Sequence, residues 1–246
     1  MKTGCVYLAA FQIKKMSETK KVTPEDLLVI DESSIIVGKA KNFWEKSSRP
    51  ILYISGAIIL LVAGYYGYQN FYAKPEQIKA ADAIWHAQQY FEEDSIQLAL
   101  NGDGQYPGFE KVAKNFGGTK AGKLAGYYAG LCCLKLKDFN KAVTYLKAFT
   151  TDAKEVQAIA YARLADAYSE LKKNEEAIEY YVKAAHHFPE QESLSAENLF
   201  RAGLLSEVLK KNDDAIKYYK EIKEKYSRTD RGYQVDKYLA RLGVVD

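Results

Sequence analysis

The side chains of this 246-residue chain best suited to nucleophilic, redox or metal chemistry are three histidines and three cysteines. His86 follows Trp85, His186 and His187 are adjacent, Cys132 and Cys133 are adjacent, and Cys5 stands alone near the start. A metal site needs imidazoles or thiolates that converge on one point. Neighbouring residues on a helix point about 100° apart, so neither pair can close such a site without groups from another element. The histidine pair falls near the end of a helical stretch, where partly cationic side chains suit the helix dipole. Cys133 falls on an apolar position of a helical pattern and reads as a small buried hydrophobe. The glycine-rich NGDGQYPG, from Asn101, has no Lys-Ser/Thr after it and no strand before it. It reads as a loop and not as a phosphate cradle. No residue is therefore assigned to catalysis, to a cofactor or to a metal, and the chain is read as non-enzymatic.

The elements that would have to position these groups repeat along the chain. KKNEEAIEYYVKAA, from Lys172, is followed by KKNDDAIKYYKEIK, from Lys210, and preceded by a weaker echo, KDFNKAVTYLKAF, from Lys137. Tyr161, Leu164, Ala165 and Tyr168 lie before the Lys-Lys-Asn break, and Ala177, Tyr181 and Ala184 lie after it, closed by Pro189. Apolar residues at i, i+3, i+4 and i+7 on both sides of a break predict a helical hairpin. The same frame reads Gly126, Ala129, Gly130 and Cys133 with Ala142 in the first copy, and Leu199, Ala202 and Gly203 with Ala215 and Tyr219 in the third. One hairpin cannot bury its apolar face alone, so the copies are expected to stack. The expected fold class is all-α: a single N-terminal transmembrane helix followed by an α-solenoid.

The transmembrane expectation rests on residues 50–73, PILYISGAIILLVAGYYGYQNFYA, which carry no Asp, Glu, Lys or Arg. About 22 residues of helix span roughly 33 Å, the thickness of a bilayer's hydrocarbon core. Aromatic residues crowd both ends, as expected at headgroup depth. The segment lies too far into the chain, and lacks the small-residue cleavage site, to read as a secretory signal peptide. Residues 1–49 hold nine Lys/Arg against six Asp/Glu, and the part after residue 73 holds 26 of each sign. The excess of Lys39, Lys41, Lys46 and Arg49 over Glu45 places the N-terminal tail, residues 1–48, in the cytoplasm and the large domain across the membrane. Balanced charge on that domain argues against nucleic acid as a partner. Residues 1–15 read as a misassigned start before Met16, with a short interfacial helix or a lipidated Cys5 as the alternatives.

Within residues 76–246 the expected order is a helix over 76–100, a half-repeat over 107–117, repeats at about 123–151, 158–189 and 196–227, and a capping helix over 232–242. Separations of 35 and 38 residues between Ala142, Ala177 and Ala215 resemble the tetratricopeptide repeat, whose period is about 34. The order of parts, from GYYGYQNFY through FEKVAKNFGGTKAGKLA into the repeats, is similar to bitopic inner-membrane tetratricopeptide proteins like YfgM, ancillary to the SecYEG translocon. That resemblance implies a cytoplasmic tail, a single-pass helix in a bacterial inner membrane, a periplasmic solenoid, and contacts with the Sec translocon and periplasmic chaperones. It also implies an interaction surface on the first helix of each hairpin: Leu124, Tyr127, Leu131, Leu134 and Lys135; then Ile159, Ala162, Asp166, Ser169 and Glu170; then Glu197, Phe200, Leu204, Glu207 and Val208. Such a face suits an apolar or amphipathic peptide segment. The Lys and Asn pattern that clamps a terminal carboxylate is missing from it. Two alternatives stay open here: the helix from Glu76 covers part of this face, or the chain is a structural scaffold of a cell-envelope assembly.

Overall fold

The structure, a computed structural model, describes residues 32–244. Expectations about the start codon and Cys5 lie outside the described residues. Two compact units divide the chain between Tyr66 and Gly67. Among the described residues all regular elements are helical.

The first helix, α1, runs Glu32–Tyr68. It begins eighteen residues before Pro50, where the sequence reading starts the span, so the latter part of the expected polar tail is helical. Pro50 sits inside it. A proline there forfeits one backbone bond and crowds the carbonyl four residues back, a local defect that so long a helix tolerates. The helix is long and apolar enough to cross a membrane, and none of that apolar stretch is buried in the protein. Leu60 and Leu61 are 75% and 74% exposed. A π-helical stretch, Gln69–Ala73, follows and closes with the Lys74 N–H donating to the Gln69 carbonyl.

In the second unit come α2 (Lys74–Glu92), α3 (Ile96–Asn101), α4 (Phe109–Phe116), α5 (Lys120–Lys135) and α6 (Phe139–Ala148). They are followed by α7 (Lys154–Glu170), α8 (Asn174–His187), α9 (Glu192–Val208), α10 (Asn212–Lys225) and α11 (Asp230–Arg241). The expected single helix over 76–100 is two helices. Its break at Asp94 carries no glycine or proline, which is why the sequence pattern ran through it.

That break has the same construction as three hairpin turns. Asp94, Lys137, Lys172 and Lys210 all sit in the left-handed region, with φ of 59°, 63°, 60° and 58°. The next amide in each case reaches back to close the helix: Ser95 to the Tyr90 carbonyl, Asp138 to Cys133, Lys173 to Tyr168 and Lys211 to Ser206. These are Schellman closures, in which a 6→1 bond satisfies a carbonyl at the helix end. A side chain in this conformation costs about 1–2 kcal/mol. At three of the four sites a lysine offsets part of that cost by placing its cation at the negative end of the helix dipole.

Small residues let the paired helices approach. Ala142, Ala177 and Ala215, the anchors of the sequence frame, are all fully buried. Gly130 and Gly203 do the same work from the facing helices: a Cβ on Gly130 would lie 2.7 Å from Leu146, and one on Gly203 would lie 2.4 Å from the Tyr219 ring. One apolar cluster reaches from Ile84 to Ala202 and a second from Ala185 to Leu239, with Tyr218 packed against both. Ala177→Leu is expected to overpack this interior and cost about 1–3 kcal/mol in urea unfolding. An unchanged midpoint would mean that the α7–α8 interface has room to spare.

Candidate functional site

The first helices of the hairpins carry the expected interaction face, and the structure places its residues in different surroundings. Leu134, Lys135, Asp166, Ser169 and Glu170 come together in a groove of about 740 Å³, where Lys137, Phe139, Arg163, Tyr181 and Arg201 join them. Ala162 and Phe200 are buried, at 6% and 3% exposure, so the face is closed at both. At Phe200 the cause is α11, which lays the Arg231 guanidinium 4.1 Å from the ring centroid and Tyr238 edge-on at 4.8 Å. Leu124, Tyr127, Leu131, Ile159 and Leu204 are half-buried, and Val208 is exposed.

Helix α2 covers one stripe of α5. Gln77 accepts from the Lys120 amide at one end, Phe91 meets Tyr128 edge-on at 5.3 Å, and Asp94 pairs with Lys135 at 2.7 Å at the other end. Across the groove from Leu134, α7 contributes Asp166, Ser169 and Glu170.

Three of the four carboxylates of the expected face, all but Glu170, are already engaged. Asp166 takes Arg163 and Arg201 at 2.8 Å each and accepts from the Tyr181 phenol at 2.6 Å. Glu197 holds Arg201 at 2.8 Å and Arg231 at 2.6 Å, and Glu207 holds Arg241 and the Tyr219 phenol, both at 2.6 Å. Asp166 to Arg201, Glu197 to Arg231 and Glu207 to Arg241 are separated by 35, 34 and 34 residues. Each acid thus reaches the base one repeat later. Arg163, Tyr181 and Arg201 were missed as groove residues by a reading that took each hairpin alone; an acid and a base one period apart was the signal that would have found Arg201.

Burial works against ionised Glu197, but Arg231 and Arg201 outweigh it and hold its carboxyl below the usual glutamate value. Glu221 behaves alike: burial raises it, while Lys225 and His186 bring it below that value. A carboxyl whose folded pKa is lowered contributes stability that is complete above its unfolded value, near 4.3, and is lost as pH falls through the folded value. The thermal midpoint is therefore expected to hold steady from pH 7 to about 5 and to drop below about 4. Glu197→Gln should flatten part of that acid limb in calorimetric scans; an unchanged limb would remove Glu197 from the account.

The groups considered for chemistry are used structurally. His86 stacks on Tyr106 with centroids 3.4 Å apart, His186 bonds Glu221 at 2.9 Å, and His187 meets the Tyr161 ring edge-on at 5.4 Å. Among the described residues no group of three or more His, Cys, Asp or Glu is placed to hold a metal ion. Cys132 and Cys133 are both buried and unpaired. Burial pushes the thiols up, Cys132 to about 12 and Cys133 to about 11, so the reactive thiolate is scarce at neutral pH. Neither is expected to react with maleimide until urea unfolds the protein; fast labelling of the native chain would contradict that burial.

A profile for the tetratricopeptide repeat-like domain matches residues 41–235. The chain belongs to this tetratricopeptide repeat-like family. Its fold supports binding of protein partners and is typically non-enzymatic. Among solved structures, the MamA protein is 18% identical with a TM-score of 0.44, over 71% of this chain and 81% of that one. BtubC from P. vanneervenii is 17% identical with a TM-score of 0.39, over 69% of this chain and 65% of its own. No curated protein matches the chain.

Proposed function

We propose that this tetratricopeptide repeat-like protein is a membrane-anchored interaction module whose solenoid holds extended or amphipathic segments of exported or envelope proteins. The observation that carries the binding role is the groove between α5 and α7. It offers the apolar Leu134 and Phe139 beside the exposed Lys137 and Glu170, while Asp166 is neutralised by two arginines. A ligand there meets apolar contacts and isolated charges of both signs, the pattern that accepts an amphipathic segment. The anchor is residues 50–73, whose large apolar side chains face outward along α1. A soluble chain rarely exposes so long an apolar run, and a bilayer removes the penalty. The lysine-rich flank before it supports an N-terminus in the cytoplasm and a solenoid in the periplasm. Similarity of layout to the YfgM-like proteins adds the Sec translocon and periplasmic chaperones as the partners of first choice.

In-cell photo-crosslinking tests this reading, with the photoreactive residue at Ser169 or Glu170, which line the groove, and not at the buried Phe200. Recovery of exported clients or secretion components is the expected result. Capture of none of them would overturn the assignment, and stable stoichiometric co-purification with one fixed assembly would favour a scaffold role instead.

A further inference from the structure

Three glycines lie four residues apart along α5, and only two are explained by packing. A Cβ on Gly122 would come within 1.8 Å of the Phe116 carbonyl, and one on Gly130 within 2.7 Å of Leu146. A Cβ on Gly126 would meet nothing closer than the Ala113 methyl at 3.9 Å. Glycine inside a helix costs about 0.5–1 kcal/mol relative to alanine, and nothing in the interior requires it here. Beside it lies a pocket of about 370 Å³, walled by Ala113, Gly126 and Ala148 with Tyr145 and Phe149.

The next repeat shows what normally fills this space. In the frame anchored on Ala142 and Ala177, Gly126 corresponds to Tyr161, Tyr145 to Tyr180 and Ala148 to Lys183. The Tyr161 ring packs against Tyr180 at 6.1 Å, with the Lys183 ammonium 4.3 Å above it. In the first repeat the counterparts of those two contacts line the pocket, and the ring between them is missing. Lys114 and Lys123 stand at its mouth, both exposed, and neither is in an ion pair among the described residues. The one carboxylate in the lining, Glu110, accepts from the Tyr145 phenol at 2.8 Å.

We propose that the pocket beside Gly126 is an anchor site for an aromatic side chain of a partner protein segment that carries acidic residues next to that ring. The partner supplies in trans the ring that Tyr161 supplies within its own repeat, and its carboxylates meet Lys114 and Lys123. One buried aromatic anchor of this kind commonly dominates the affinity of a peptide contact. This site rests on the interaction role proposed above but lies on other residues than the α5–α7 groove.

The test pans phage-displayed random dodecapeptides on the full-length protein in lipid nanodiscs, then measures the enriched peptides by fluorescence anisotropy. The expected winners carry Phe, Tyr or Trp within two positions of Asp or Glu. Gly126→Phe should fill the pocket from within, keep the circular dichroism and melting point, and weaken these peptides at least tenfold, whereas Gly126→Ala should bind almost as before. Lys114→Glu with Lys123→Glu should weaken them severalfold. Gly126→Leu serves as the filling variant if Phe alters the melting point. Peptides that bind the filled variants undiminished, or selection that enriches no such sequence, overturn the pocket. Undiminished peptides that instead lose affinity on Leu134→Glu would do so while leaving the groove's role intact.

Discussion

Replacing Tyr219 by alanine is expected to lower the unfolding free energy by about 3–5 kcal/mol. The ring is fully buried, packs on Gly203 of the facing helix, and touches Phe200 and Tyr238 with centroids 5.9 and 5.6 Å away. Few sites in the solenoid combine so much apolar area with so little freedom to collapse around a deletion. The phenol adds a second component. Burial, followed by its bond to Glu207, raises the phenol well above the usual tyrosine value, so it remains a donor throughout the accessible pH range. Tyr219→Phe removes that bond alone and is expected to cost about 1.5–3 kcal/mol, the range for a hydrogen bond to a charged group. Arg241 still pairs Glu207 in both variants. Urea unfolding followed by circular dichroism gives both values, and hydrogen exchange should show α9 to α11 losing protection before α5 and α6. A loss under 1 kcal/mol for the alanine variant would show that the ring is not packed as described.

Arginines at Leu60 and Leu61 together are expected to release the protein from membranes. Each charged residue at the centre of a spanning helix costs about 2.5–3.5 kcal/mol for insertion, and each lost leucine removes a favourable contribution as well. The two positions lie at the middle of residues 50–73, too far from either end for their cations to reach the headgroups easily. After carbonate extraction the unaltered chain should remain in the pellet and the double variant should move largely to the supernatant. A chain that partitions identically with and without the two arginines is not held by this helix, and the membrane role would have to be given up.

What could be read from the sequence followed from periodicity. The all-α repeat fold was legible because small residues at Ala142, Ala177 and Ala215 recur on one helical face, and the apolar helix because an uncharged run needs no context. The extension of α1 back to Glu32 was not, since polar residues and Pro50 interrupt the apolar pattern that would mark one continuous helix. Nor was the break at Asp94, because a left-handed aspartate leaves no glycine to mark it. The interaction face was legible only as a set of positions. Its closure at Phe200 depends on Arg231 and Tyr238 from a helix thirty residues away, and the engagement of its acids depends on arginines in the following repeat. Contacts between repeats have no local pattern, although their constant offset of one period is visible once the period is known.

The shared geometry of the turns at Lys137, Lys172 and Lys210 makes them natural splice points. Because each closes with backbone bonds alone, the 38-residue cassette from Lys173 to Lys210 is bounded by equivalent left-handed residues, Lys172 just before it and Lys210 at its end. Duplicating it in tandem would lengthen the array by one rung without a new loop design, and the same boundaries suit chimeras that graft a foreign rung between α7 and α10.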